Sequence, residues 1–223
     1  MAFSVEVFPD EVYSEKAAGV ISSNLPAMGS IVLTGGTTAE KIYSRLAATG
    51  AEWKGLRVFF SDERCVPPTD PASNYAMAER LLFERARPGR VHRMRGEDPP
   101  KMGAQRYHDD VGAAIGSGFD LLLLGMGADA HIGAMFPGGA AIAETERLCV
   151  AVDRPDGLKG LTLTLPAMTP ARKILLIVTG EGKAATVRRV LKGDEDAESC
   201  PARALIEHPD AIFLLDESAA SAL

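Results

Sequence analysis

The sequence predicts an α/β protein built on a mostly parallel sheet with helices on both faces. Three observations lead there. Strand-like and helix-like segments alternate along nearly the whole chain, the pattern of successive βα units. Residues 121–124 (LLLL) and the central ILLIV of 173–179 (KILLIVT) are apolar at consecutive positions rather than alternate ones. A strand reads that way when both of its faces are buried, as in a parallel sheet. Several of these apolar runs end in glycine followed by polar residues, and open α/β sheets bind ligands beyond the carboxyl ends of their strands.

In order along the chain, residues 4–8 read as a strand and 10–24 as a helix. Residues 29–33 (GSIVL) form a second strand, and the next helix begins near Thr38. Residues 56–60 are a third strand. Residues 74–83 are helical, with Met77, Leu81 and Leu82 on one face. A short strand over 91–94 and a helix over 101–114 precede the leucine strand. Residues 149–152 and 161–165 read as strands, and 173–179 as another buried one. A helix over 182–191 places Ala184, Val187 and Leu191 at helical spacing, and 211–215 is a late strand. Stretches rich in Gly, Pro and Asp at 87–100 and 154–160 read as surface loops.

The 223 residues form one expected domain, 1–223, long enough to bury a sizeable core. Net charge is −6, and no basic block stands out, which argues against a nucleic-acid partner. Cys65, Cys149 and Cys200 are odd in number and lack CxxC spacing. They indicate neither a disulfide framework nor a zinc cluster, and a cytoplasmic setting is expected. The N-terminus shows no signal-peptide pattern, and no apolar run approaches a membrane span.

Four strand ends carry candidate chemistry. In Leu33-Thr-Gly-Gly-Thr-Thr38, Gly35, Gly36 and Thr37 lie between a strand and a helix N-terminus. Backbone N–H groups there favour a phosphate, although an ordinary βα turn capped by Thr is an equal alternative from this segment alone. Asp62, Glu63 and Arg64 follow the third strand, and Arg suits bidentate phosphate or carboxylate binding. The leucine strand runs into Gly125-Met-Gly127, then Asp129 and His131. A neutral His can act as general base on water, with a carboxylate fixing its tautomer. Two residues apart, Asp129 and His131 do not by themselves face each other. Lys183 opens a helix against the helix dipole, which an anionic ligand explains better than helix stability does. No Ser-His-Asp order, nucleophile elbow or metal-ligand spacing is present; His92, His108 and His208 read as structural or solvent-exposed.

Taken together these motifs resemble the 6-phosphogluconolactonase family nearly end to end. The family's GG[ST]TP loop corresponds to Gly35-Gly-Thr-Thr-Ala39, and its DERxVP with a later SNY to residues 62–67 and 73–75. Its GxGxDGHxxSLFPG corresponds to residues 125–138, and its TLTLP, TGxxK and terminal D-x-x-A elements to 162–166, 179–183 and 216–219. The resemblance implies a three-layer fold shared with sugar-phosphate isomerases and CoA transferases. It implies a phosphorylated sugar lactone as substrate and no cofactor, metal, nucleic acid or membrane partner. It also implies phosphate binding by Gly35, Gly36, Thr37 and Arg64, assisted by Lys183 and with Asp62 in the site, and a general base at His131 beside Asp129.

Three departures stand out. The family's glycine before the His is Ala130, where a left-handed backbone would cost about 1 kcal/mol. Its helix-opening proline is Ala39. Its Arg before the TLTLP strand is replaced by Lys159-Gly160, so Lys159 or Arg154 supplies that charge, or it is missing. An amino-sugar phosphate deaminase on the same scaffold is the alternative enzyme, with MDEY and NEPG where this chain has SDER and MFPG. A catalytically impaired sugar-phosphate-binding protein is the non-enzymatic alternative.

Overall fold

A computed structural model describes residues 3–223. The strands are β1 (Phe3–Phe8), β2 (Gly29–Leu33), β3 (Leu56–Phe60), β4 (Asp62–Arg64), β5 (Arg90–Val91), β6 (Leu121–Gly125), β7 (Cys149–Asp153), β8 (Lys159–Leu163), β9 (Ile174–Val178) and β10 (Ala211–Asp216). The helices are α1 (Tyr13–Ser23), α2 (Thr37–Ala47), α3 (Asn74–Ala78), α4 (Glu84–Ala86), α5 (Pro100–Ala114), α6 (Leu165–Met168), α7 (Ala184–Lys192) and α8 (Glu217–Ala220). Seven strands form one sheet in the order β1-β10-β9-β6-β2-β3-β5, every pair parallel.

The continuous apolar runs are explained by burial on both faces. Side chains alternate across a strand. Ile31, Leu33, Leu121, Leu123, Leu175 and Ile177 therefore pack on one side with Ile21 of α1 and Ile42 of α2. Val32, Leu122, Leu124, Leu176 and Val178 pack on the other with Val111 of α5, Val187 of α7 and the smaller sheet. The expected parallel α/β architecture with helices on both faces is therefore present.

Three differences follow from local packing. The strand-like segments do not all join the main sheet: β4, β8 and β7 form a separate antiparallel sheet. β4, read only as a charge cluster in sequence, pairs Asp62, Glu63 and Arg64 against Thr162, Leu161 and Gly160. The helix read over 74–83 continues to Ala86 through a π-turn at Glu79–Phe83. Of the segment 154–160, residues 154–158 make a hairpin turn and 159–160 begin β8, and the segment is not a fully exposed loop, since the Arg154 side chain is only 9% exposed.

The topology positions the site. From β2 the chain steps outward to β3 and β5, then returns through α5 to β6 on the other side of β2. The strand order thus reverses between β2 and β6, and a crevice opens at their carboxyl ends. Gly35, Gly36 and Thr37 follow one of these strands, and Asp129 and His131 follow the other.

Candidate active site

A cleft of about 180 Å³ lies at that reversal point. Its walls include Gly35, Gly36, Thr37, Asp62, Arg64, His131 and Lys183, so the four strand ends singled out in sequence converge.

The β2–α2 turn forms one wall. Gly36 caps α2 with φ 91°, a conformation that glycine adopts without a Cβ penalty. No side chain caps this helix, so its first N–H groups remain available at the cleft. Gly35 has a steric role, because a Cβ there would overlap the Asn74 carboxamide. Behind the turn, Thr34 Oγ1 accepts from Gly125 N–H at 3.2 Å and ties the two central strands together.

The segment from Asp62 to Arg64 is held by a buried carboxylate. Glu63 is 2% exposed and accepts hydrogen bonds from the backbone N–H groups of Arg64, Asn74 and Tyr75 and from Ser73 Oγ, all within 2.7–2.9 Å. It thereby satisfies the N-terminus of α3, while Asn74 Nδ2 donates to the Asp62 carbonyl at 2.9 Å. Burial raises the Glu63 pKa, opposed by those donors. The physical reason for the linked motifs is therefore direct: residues 73–75 supply the donors that a buried Glu63 requires. Arg64 donates from one terminal nitrogen to the Ala72 carbonyl at 2.6 Å, which fixes its guanidinium at the cleft.

The β6 end carries the imidazole. Gly127 N–H donates to the His131 carbonyl, and Met126 and Ile132 form an antiparallel bridge, so residues 126–132 make a closed loop. Asp129 Oδ1 lies 2.6 Å from His131 Nδ1 and also accepts from His131 N–H at 3.1 Å. The pairing left open by sequence spacing is thus made. Burial alone would raise the Asp129 pKa, but the His131 backbone donor and ring outweigh it and hold the carboxyl below its usual value. An ionised Asp129 keeps a proton on Nδ1 and leaves Nε2 as the basic nitrogen. Nε2 has no hydrogen-bond partner among the described residues. Gly127 makes this packing possible: a Cβ there would overlap the imidazole and the Asp129 carboxylate.

The turn that brings the pair together passes through Ala130 at φ 73°. This left-handed conformation is what the family glycine would relieve. The Ala130 methyl is fully buried in the core and does not line the cleft, so it does not crowd a ligand. Relief of about 1 kcal/mol of strain in Ala130→Gly is offset by roughly 0.8 kcal/mol of lost burial and by the freedom gained in the unfolded chain. Ala130→Gly is therefore expected to leave the melting temperature within about 4 °C and kcat/KM nearly unchanged. Thermal melting with steady-state kinetics checks this, and a large gain in turnover would show that Ala130 mis-aims His131.

Lys183 enters from the β9–α7 connection. Gly180 turns there at φ 94°, with its N–H bonded to both Asp216 oxygens at 3.0 and 2.9 Å. Burial lowers the Lys183 pKa, with the Asp216 charge opposing. Its ammonium has no ion-pair partner among the described residues and faces the cleft.

Of the two residues weighed in place of the strand arginine, only Arg154 is at the cleft. It lines the cleft, whereas Lys159 is exposed and pairs with Asp153 outside it. The sequence signal for this choice was weak, because Arg154 sits in a turn that reads as surface. The other histidines are engaged elsewhere: His92 stacks on Phe59, His108 accepts from Leu148 N–H, and His208 Nε2 lies 2.7 Å from the Ala171 carbonyl. Among the described residues, no three His, Cys, Asp or Glu side chains gather as a metal-binding group, and no helix is long and apolar enough to cross a membrane.

The chain as a whole is similar to known proteins. Residues 13–213 match the family model for glucosamine-6-phosphate isomerases/6-phosphogluconolactonase. A 6-phosphogluconolactonase of Mycobacterium tuberculosis is 34% identical, with 100% of this chain and 99% of that protein covered. One of Treponema pallidum is 37% identical over 69% of this chain and 68% of its own. Among solved structures, the devB protein superposes with a TM-score of 0.87 at 30% identity over 98% of each chain. A 6-phosphogluconolactonase from Trypanosoma cruzi gives 0.86 at 26% identity, covering 99% of this chain and 96% of that one. With the family model matched over 13–213 and a relative 34% identical over the whole chain, the chain belongs to the glucosamine-6-phosphate isomerase/6-phosphogluconolactonase family.

Proposed function

We propose that this chain hydrolyses 6-phospho-D-glucono-1,5-lactone to 6-phosphogluconate, the lactone-opening step of the oxidative pentose phosphate pathway. The observation that carries this reading is the meeting of an Asp129–His131 pair with an anion-binding wall in one cleft. In this reading residues 1–223 work as one cytoplasmic, cofactor-independent domain, in keeping with free thiols at Cys65, Cys149 and Cys200.

The phosphate docks against the N-terminus of α2, where Gly35, Gly36 and Thr37 offer backbone donors and Arg64 and Lys183 offer charge. Asp62 is 5% exposed and lines the same cleft, where it suits a sugar hydroxyl. Remote anchoring of this kind holds the reacting carbonyl near His131. His131 Nε2 takes a proton from water, and the water oxygen bonds to the lactone carbonyl carbon. The carbonyl electrons move to its oxygen. On collapse they re-form the double bond, and the bond to the ring oxygen breaks. The imidazolium returns its proton to that leaving oxygen, and the new carboxylic acid loses its own proton to solvent.

The test is lactone hydrolysis corrected for spontaneous opening, with and without the 6-phosphate. Enzymatic opening selective for the phosphorylated lactone is expected. Ammonia release from glucosamine 6-phosphate, with no lactone hydrolysis, would overturn the assignment.

A further inference from the structure

We propose that Arg154 is the donor that stabilises the oxyanion formed when water adds to the lactone carbonyl. This role rests on the lactonase reading above and identifies a group that reading leaves open.

Arg154 belongs to the turn between β7 and β8, yet its side chain is almost wholly withdrawn from solvent, at 9% exposure. Its stem runs inward over Gly160 of β8, the residue that pairs with Val152 of β7 and Arg64 of β4. An ideal Cβ on Gly160 would lie 3.0 Å from Arg154 Cδ and 3.3 Å from its Cγ. A side chain at 160 would therefore press on the arginine stem, and the glycine lets the stem lie close against β8. Two carboxylates restrain the guanidinium. Its Nε is 3.1 Å from Asp156 Oδ2, and a terminal nitrogen is 3.7 Å from Asp62 Oδ2. No hydrogen bond engages its terminal nitrogens among the described residues. A buried cation with fixed orientation and spare donors at a cleft wall is arranged to meet negative charge.

Which charge it meets follows from Phe136. The guanidinium carbon lies 5.6 Å from the centre of the Phe136 ring, and the His131 imidazole packs on that same ring at 4.7 Å. Arg154 and the base thus flank one aromatic side chain. Both groups also line the one cleft, so a carbonyl carbon held beside a water on His131 Nε2 with its oxygen turned toward Arg154 would present that oxygen to the guanidinium. As the water oxygen bonds to that carbon, the displaced electron pair settles on the carbonyl oxygen, and Arg154 holds it until the ring C–O bond breaks. The guanidinium neither gains nor loses a proton, which suits its permanently charged character.

The experiment separates this role from simple phosphate binding. Wild type, Arg154→Ala and Arg154→Lys are compared for kcat and KM on the phosphorylated lactone. Inhibition by glucitol 6-phosphate, which has the phosphate and no carbonyl, reports the anion end alone. Loss of an oxyanion donor predicts a fall in kcat of about 10²–10³-fold in Arg154→Ala. The glucitol 6-phosphate inhibition constant should stay within about twofold, and added guanidinium should restore part of the turnover. Arg154→Lys keeps the charge and fold and should show the same kcat-dominated loss to a smaller degree, so it serves if the alanine variant fails to fold. Weakened glucitol 6-phosphate binding with unchanged kcat would make Arg154 a phosphate ligand and overturn the proposal. Unchanged kinetics would overturn it while leaving the lactonase reading intact. A wild-type protein inactive on the lactone would overturn both.

Discussion

His131→Ala is expected to lower kcat for enzymatic lactone opening by about 10²–10⁴-fold, the range that a positioned general base contributes. KM should change little, because the anion-binding wall lies on other elements. The fold should survive. The His131 side chain is 30% exposed, and the loop is closed by backbone bonds that an alanine retains, namely Gly127 N–H to the residue 131 carbonyl and the Met126–Ile132 bridge. Stability should therefore stay within about 1 kcal/mol of wild type. Single-turnover kinetics with the background rate subtracted, alongside thermal melting, gives both quantities, and near-normal turnover in a folded variant would remove His131 from the mechanism. Asp129→Asn should lose about tenfold in kcat, since an amide no longer fixes the proton on Nδ1. The lowered Asp129 pKa has its own pH signature. Its contribution to stability is present above the carboxyl's unfolded pKa and is lost as pH falls through the lower folded value.

Arg64→Ala should raise KM by about 10–10²-fold, corresponding to roughly 1.5–3 kcal/mol for hydrogen bonds to a charged group. The effect should fall on binding more than on turnover, because the group it addresses is remote from the carbonyl. Arg64→Lys should recover only part of the loss. The native guanidinium bonds the Ala72 carbonyl with one terminal nitrogen while facing the cleft, and a single ammonium cannot reproduce that fork. Inhibition by inorganic phosphate should weaken in parallel. A crystal of the protein with a bound anion provides a second check, because the anion should sit between Arg64 and the turn of Gly35, Gly36 and Thr37. An anion held elsewhere, with unaltered KM in Arg64→Ala, would refute the assignment.

Much of this site was legible in the sequence, for identifiable reasons. Apolar runs such as residues 121–124 can be satisfied only by burial on both faces, and that burial is what α1, α2, α5 and α7 provide. Glycines at strand ends mark places where a Cβ is forbidden, and Gly35 and Gly127 each turn out to be closely approached by a side chain. The pairing of Asp62-Glu-Arg64 with Ser73-Asn-Tyr75 reads as two motifs in sequence and becomes one unit through the Glu63 carboxylate.

Local sequence thus determined most of the helices and strands, the main parallel sheet and the strand ends that carry polar residues, because periodicity and glycine placement are properties of neighbouring residues. Only the tertiary structure decided the contacts made across the chain. Asp129 meets His131 because Ala130 takes a left-handed turn, a backbone choice that an alanine does not advertise. Arg154 reaches the cleft with its stem close against Gly160 of β8, while Lys159 pairs with Asp153 outside it. β4 leaves the main sheet to pair with β8, whose partner residues lie far along the chain. Such outcomes depend on which side chain occupies a shared volume, and sequence spacing alone does not encode that.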